Sequence, residues 1–186
     1  YYDSTSMQFI SARIDSVAIA GNETRYFGMR QIRLIDNGCY TPDGASWLGD
    51  IVTQDTEGNF QFIIYPFSPS DSAYKYLIKS DAALGIPWRF YNIHTINHYI
   101  EAKVTQISLL TFIGISDSVK TITLQRKDAA GQNVSDPING QKILLSKNYG
   151  LIRLPKFDEF NEIPAFYDLC GITNPDTGRT RLTFEE

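Results

Sequence analysis

An apolar–polar alternation with a period of two runs along much of this chain and restricts those segments to strands with one buried face. In QFISARID, Ile10, Ala12 and Ile14 alternate with Ser11, Arg13 and Asp15; in NFQFIIY, Phe60, Phe62 and Ile64 do the same. In YIEAKVTQ the apolar set is Ile100, Ala102 and Val104. After Thr105 it changes parity to Ile107 and Leu109, which predicts a bulge or bend near Gln106. Between such runs stand AGNET, DNG, DTEGN, DAAGQN, PINGQ and NPDTG, each supplying the Asn, Asp or Gly that tight turns need. Strands joined by short polar turns form antiparallel hairpins. The expected fold is therefore all-β, antiparallel and built from hairpins.

Composition agrees. The 11 Phe, 11 Tyr and 2 Trp favour strands. A chain of 186 residues suits one domain, expected here over residues 1–186, and buries enough surface to fold without a metal or disulfide staple. Net charge is −4 and the 17 Lys and Arg are scattered, so the clustered basic face of a nucleic-acid binder is missing. No apolar run approaches the ~20 residues of a membrane-spanning helix. The opening Tyr1, without a signal-type region after it, suggests either removal of a leader or an excised domain.

Two segments need closer reading. SPSDSAYKYLIKSDAALG carries helix signals, with Ser and Pro at a start, Tyr74, Leu77 and Ile78 at helical spacing, and Gly85 as a stop. It equally carries Tyr74, Tyr76 and Ile78 at strand spacing against Lys75 and Lys79. KILLSKNYGLIRLPKF reads as a core hairpin, with Ile143, Leu145, Leu151 and Leu154 inward and Asn148 and Gly150 best able to take left-handed φ. A phosphate-binding loop is excluded, because the glycine precedes a β-type run ended by Pro155 and not a helix.

Candidate chemistry is sparse. His94 and His98 would share a helix face and chelate a metal, but strand spacing separates them by up to ~13 Å, and a polar turn is the plainer reading. Asp55, Glu57 and Asn59 alternate like the start of a calcium loop, yet the required later glutamate is missing and a strand resumes at Phe60. Asp158 and Glu159 are adjacent and point opposite ways on a strand, unlike the facing carboxylates of a glycosidase. Trp47 and Trp88 fit a core better than an exposed stacking platform. Cys39 and Cys170 lie far apart with no CxxC spacing, which supports neither a zinc site nor a redox pair. A disulfide between them and two separate buried thiols both stand open.

The order CYTPDGASWLGD, ALGIPWRFY, YIEAKVTQI, SDSVKTITLQ, INGQKILLSKNYGLIRL and YDLCGITNPDTGRTRLTFEE resembles the N-terminal regions of large secreted Bacteroidetes proteins that commonly carry a type IX secretion sorting domain. The part from LGxxW to NYGLI also resembles bacterial envelope domains whose open, strongly curved sheets are related to lipoprotein-carrier half-barrels. The resemblance covers most of residues 39–184, rests on structural motifs, and implies an all-β fold whose curved, mostly antiparallel sheet forms a half-barrel or a sandwich. In that pattern a strand precedes LGxxW, which favours a strand at Tyr74 to Ile78. It implies secretion or a place in the cell envelope, no cofactor and no catalytic residues. The function expected is a non-catalytic structural or interaction module of an exported protein. The alternative is a module holding a lipid-like or glycan ligand on a concave sheet, so that envelope lipid, glycan or protein is the partner. Asp15-Ser16-Val17, Asp71-Ser72-Ala73 and Asp117-Ser118-Val119 resemble the short O-glycosylation motif of such proteins, a pattern brief enough to recur by chance.

Overall fold

The computed structural model describes residues 2–3, 8–9, 11–14, 16–27, 30–34, 40–43, 49, 51–64, 73–93, 95–155, 166–169, 171–174 and 178–181. All regular structure among them is β. The strands are β1 (Tyr2–Asp3), β2 (Gln8–Phe9), β3 (Ser11–Arg13), β4 (Ser16–Ala20), β5 (Glu23–Phe27) and β6 (Arg30–Leu34). There follow β7 (Tyr40–Asp43), β8 (Ile51–Gln54), β9 (Phe60–Ile64), β10 (Tyr74–Ile78), β11 (Pro87–Ile93) and β12 (His98–Phe112). The last are β13 (Ile115–Lys127), β14 (Lys142–Ser146), β15 (Gly150–Pro155), β16 (Phe166–Asp168), β17 (Gly171–Asn174) and β18 (Gly178–Arg181).

An eight-stranded sheet, ordered β11-β12-β13-β14-β15-β16-β1-β2, curls into a half-barrel. A five-stranded sheet, ordered β10-β9-β8-β5-β4, provides the second layer. Among the described residues every strand pair is antiparallel, and most neighbours in sequence are neighbours in space, as hairpin chemistry requires. Between the layers lies one apolar core. The larger sheet contributes Phe90, Ile100, Ala102, Val104, Ile122, Leu124, Ile143 and Leu154; the smaller contributes Val52, Phe62, Tyr76 and Ile78. Tyr76 stacks on Tyr91 at 4.6 Å, and Trp88 donates its indole N–H to the Leu77 carbonyl at 2.8 Å, tying β11 to β10. Trp88 is a core residue, as read from the sequence; Trp47 lies outside the described residues.

Tyr74 to Ile78 is a strand, with Tyr76 and Ile78 buried. The helical spacing of Tyr74, Leu77 and Ile78 and the helix-start and stop residues around them give way to the packing of Tyr76 and Ile78 with Phe62 and Phe90 in the core. The predicted bulge is present, a register shift between Val104 and Gln106. Gly150 has φ +74° and closes the KILLS–GLIRLP hairpin, while Asn148 is not among the positive-φ residues and serves the turn through its side chain. A second register shift between Leu144 and Leu145 makes Ile152 a buried residue and leaves Leu151 half-buried. Ile14, read as core-facing, is exposed. Alternation specifies two faces but cannot say that anything covers either.

Candidate functional site

The longest hairpin among the described residues changes character halfway along. In β12 and β13 the segment up to Val104 and from Ile122 onward packs in the core. Past the bulge, β11 no longer accompanies β12, and β14 accompanies β13 only as far as Val119. Outward of Ser108 and Val119 no third strand continues alongside β12 and β13 among the described residues, and the Lys147 N–H donates to the Ser118 carbonyl at 2.9 Å. At ~3.4 Å per residue this ribbon runs on for roughly 15 Å. Cross-strand pairing places Ile107, Leu109, Ser118 and Lys120 on the face continuous with the core, and Leu110, Phe112, Ile115 and Asp117 on the other. Leu109 is 76% exposed. The ribbon closes through Ile113 and Gly114 at φ 45° and 71°. Both central residues at positive φ are the mark of a type I′ turn, which normally takes Asn-Gly.

Where the ribbon leaves the sheet, a cleft of about 530 Å³ opens between the layers. Its walls are Gln54, Gly58 and Phe60 from the β8–β9 hairpin, Ser80 after β10, Ile107, Ser118 and Lys120 of the ribbon base, and the β14–β15 turn. The volume falls within the range of small-ligand sites. Lys120 sits on the same face as Ile122 and Leu124, yet it is a cation. Its ammonium donates to the Ser80 carbonyl at 2.7 Å and the Ala82 carbonyl at 2.8 Å, which offsets its partial desolvation and pins the loop after β10. Ser80 Oγ in turn donates to the Gly58 carbonyl at 2.6 Å, joining two walls.

Two carboxylates hold the turns around this cleft. Asp117, 7% exposed, accepts hydrogen bonds from Ser146 Oγ, from the Asn148 backbone N–H at 2.9 Å and from Asn148 Nδ2 at 2.9 Å. These donors, Ser146 first, hold its carboxyl below the ordinary aspartate range against the opposing effect of burial. The β14–β15 turn is thereby docked on the ribbon, and Tyr149 meets Phe112 edge-on at 5.9 Å. Asp55 plays the same part in DTEGN. One of its oxygens accepts from the Glu57 and Asn59 backbone N–H groups, the other from Asn59 Nδ2, and its carboxyl is likewise lowered, chiefly by the Asn59 N–H. With N–H donors on both oxygens and Gly58 at φ +82°, the segment is a hairpin turn and not a cation loop.

The other sequence candidates fare differently. His98 opens β12 as a strand residue, and its Nδ1 accepts from Arg126 Nε at 3.3 Å, so a guanidinium occupies one of its two ring nitrogens. Arg126 also pairs with Asp136 in the loop that returns from β13. His94, Cys39, Cys170, Asp158 and Glu159 lie outside the described residues. Among the described residues no three His, Cys, Asp or Glu side chains are grouped to hold a metal ion, and no helix is long and apolar enough to cross a membrane. In the O-glycosylation-like triplets, Asp117 and Val119 are buried, Ser16 lies on the exposed strand β4, and Asp15, Asp71 and Ser72 lie outside the described residues. Sequence reading missed Lys120 and the exposed ribbon. Their signals were a lysine at a core parity and the uncharged stretch Ile107 to Ser116.

Comparison with protein-family models, with curated proteins and with solved structures gives no match to this chain.

Proposed function

We propose that this chain is a non-catalytic interaction module of an exported cell-envelope protein, a packed β scaffold that presents an apolar ribbon. The observation that carries the reading is the outer half of the β12–β13 hairpin, where Leu109 and Leu110 stand exposed on a paired, fully formed ribbon. Scattered surface apolar residues are ordinary, but a contiguous uncharged projection is the kind of surface that partners cover. The use of Asp55 and Asp117 as turn anchors supports a scaffold role for carboxylates that an enzyme would keep available. The envelope setting is supported by the resemblance of residues 39–184 to secreted Bacteroidetes proteins. The test is retention in the host envelope fraction of the chain and of a Leu109→Asp, Leu110→Asp variant with an unchanged thermal midpoint. Retention of the parent and release of the variant is the expected result; equal behaviour of both would end the reading.

A second reading has its own support. The cleft holds about 530 Å³ and combines Phe60 and Leu145 with Gln54, Ser80 and Lys120, a mixture of apolar wall and convergent polar groups suited to a small glycan or lipid-like ligand. Titration calorimetry with envelope oligosaccharides and with a fatty acid tests it. Heat that disappears in Phe60→Ala at preserved fold supports the cleft, and no heat with either ligand class excludes it.

A further inference from the structure

A strand at the edge of a sheet exposes a row of N–H and C=O groups on which another strand can form. Proteins ordinarily blunt such an edge with a charge, a proline, a bulge or a very short strand. Three of the four strands that end the two large sheets carry these devices. β11 begins at Pro87, holds exposed Arg89 and bulges between Arg89 and Tyr91. β10 carries exposed Lys75, and the Trp88 indole N–H takes its Leu77 carbonyl. β2 has only two residues. β4, with the sequence SVAIA, has no charge, no proline and no bulge, and all five of its residues are exposed. We infer that β4 pairs with the β4 of a second copy of this chain. None of the ribbon's residues takes part, so this pairing stands apart from the interaction-module reading.

The hairpin fixes which groups face outward. β4 and β5 are joined by the two-residue turn Gly21-Asn22, with Ala20 opposite Glu23. Residues flanking such a turn exchange hydrogen bonds, so Ser16, Ala18 and Ala20 bond to β5 while the N–H and C=O groups of Val17 and Ile19 point the other way. No described strand lies there. The side chains agree. Val17 stands in one row with Tyr26, Val52 and Phe62, and Ile19 in another with Thr24, Gln54 and Phe60. Both prolong the core-facing side of the sheet, yet they are 55% and 81% exposed.

The strand is also complementary to itself. It reads small, branched, small, branched, small, so a two-fold axis beside Ala18 sets Val17 opposite Ile19 of the second copy and Ser16 opposite its Ala20. Each Val17–Ile19 pair then exchanges both backbone hydrogen bonds and packs two β-branched side chains together. No charges face each other across the pairing, which suits two copies that each carry a net charge of −4. The contact is isologous and closes at two copies, because each β4 becomes an interior strand of one continuous sheet. Five residues span only ~17 Å and bury less than the ~800 Å² per partner of a tight dimer, so association depends on concentration.

The experiment is sedimentation velocity of the full chain from about 1 μM to about 1 mM, with thermal melts at the lowest concentration. The weight-average mass should climb from 21.1 kDa toward twice that value. Val17→Lys with Ile19→Lys opposes like charges across the axis and should weaken association by about tenfold or more at an unchanged midpoint. An equal mixture with the Val17→Glu, Ile19→Glu variant should restore the dimer, a rescue that only pairing of β4 with β4 produces. Leu109→Asp with Leu110→Asp should leave association unchanged, which separates this contact from the ribbon. A mass of 21.1 kDa throughout, or association indifferent to Val17 and Ile19, overturns the inference.

Discussion

The inner and outer halves of the β12–β13 hairpin are made by the same rule and meet opposite fates. Both alternate side chains across a twisted ribbon, and antiparallel pairing continues through to Phe112 and Ile115 on either side of the one register shift at the bulge. Inside the bulge, Ile100, Ala102, Val104, Ile122 and Leu124 are sealed by β8, β9 and β10. Outside it, Ile107 and Leu109 lie on the continuation of the same face and are uncovered, because the smaller sheet ends at the β8–β9 turn. Burial is thus a property of what lies opposite, not of the strand. A sheet face becomes core or contact surface according to how far its neighbour reaches.

Four measurements would break or sharpen that contrast. The largest effect belongs to the inner half: Phe90→Ala, at a fully buried site, should cost about 3–5 kcal/mol in urea unfolding. Gly150→Val should cost about 1–3 kcal/mol through the backbone alone, since no atom lies within 4 Å of the added Cβ. An unchanged melting midpoint would mean that the turn does not hold its left-handed residue. Asp117 links the halves and gives a pH signature. Its carboxyl is lowered, so its contribution is complete above the unfolded value of about 3.9 and is lost as pH falls through the depressed folded value. Melts across that acidic range should therefore show a shallower loss of stability for Asp117→Asn than for the parent, from a lower starting point at neutral pH. The smallest effect belongs to the outer half, where Leu109→Ser should change stability by no more than about 0.5 kcal/mol. A cost comparable to Phe90→Ala would show that the ribbon is covered in solution.

Much of this architecture was legible in the residues. The parity change after Thr105 located the bulge, and Gly150 marked its turn, because both are local consequences of side-chain period and backbone sterics. Strand at Tyr74 to Ile78 was harder, since helix and strand patterns coincide there and the decision came from Phe62 and Phe90 across the core. The cleft and the role of Asp117 were not legible. Ser146 and Asn148 reach Asp117 from another hairpin, and nothing in a period of two reports which loops will converge. Lys120 shows the limit most clearly: a cation on an apolar face is explained only by two carbonyls some forty positions away, at Ser80 and Ala82.

The bond from the Gly85 N–H to the Val104 carbonyl, 2.8 Å long, joins an exposed loop to β12 at the bulge itself. Together with the Lys120 clamp on the same loop, it gives this amide proton an unusual position. Surface loops ordinarily exchange their protons with solvent quickly, but this one is released only when the loop lifts from β12. In a hydrogen–deuterium experiment Gly85 should exchange far more slowly than its neighbours Leu84 and Ala83, at a rate set by that opening. A single resonance would then time the separation of the loop from the sheet at the point where core gives way to ribbon.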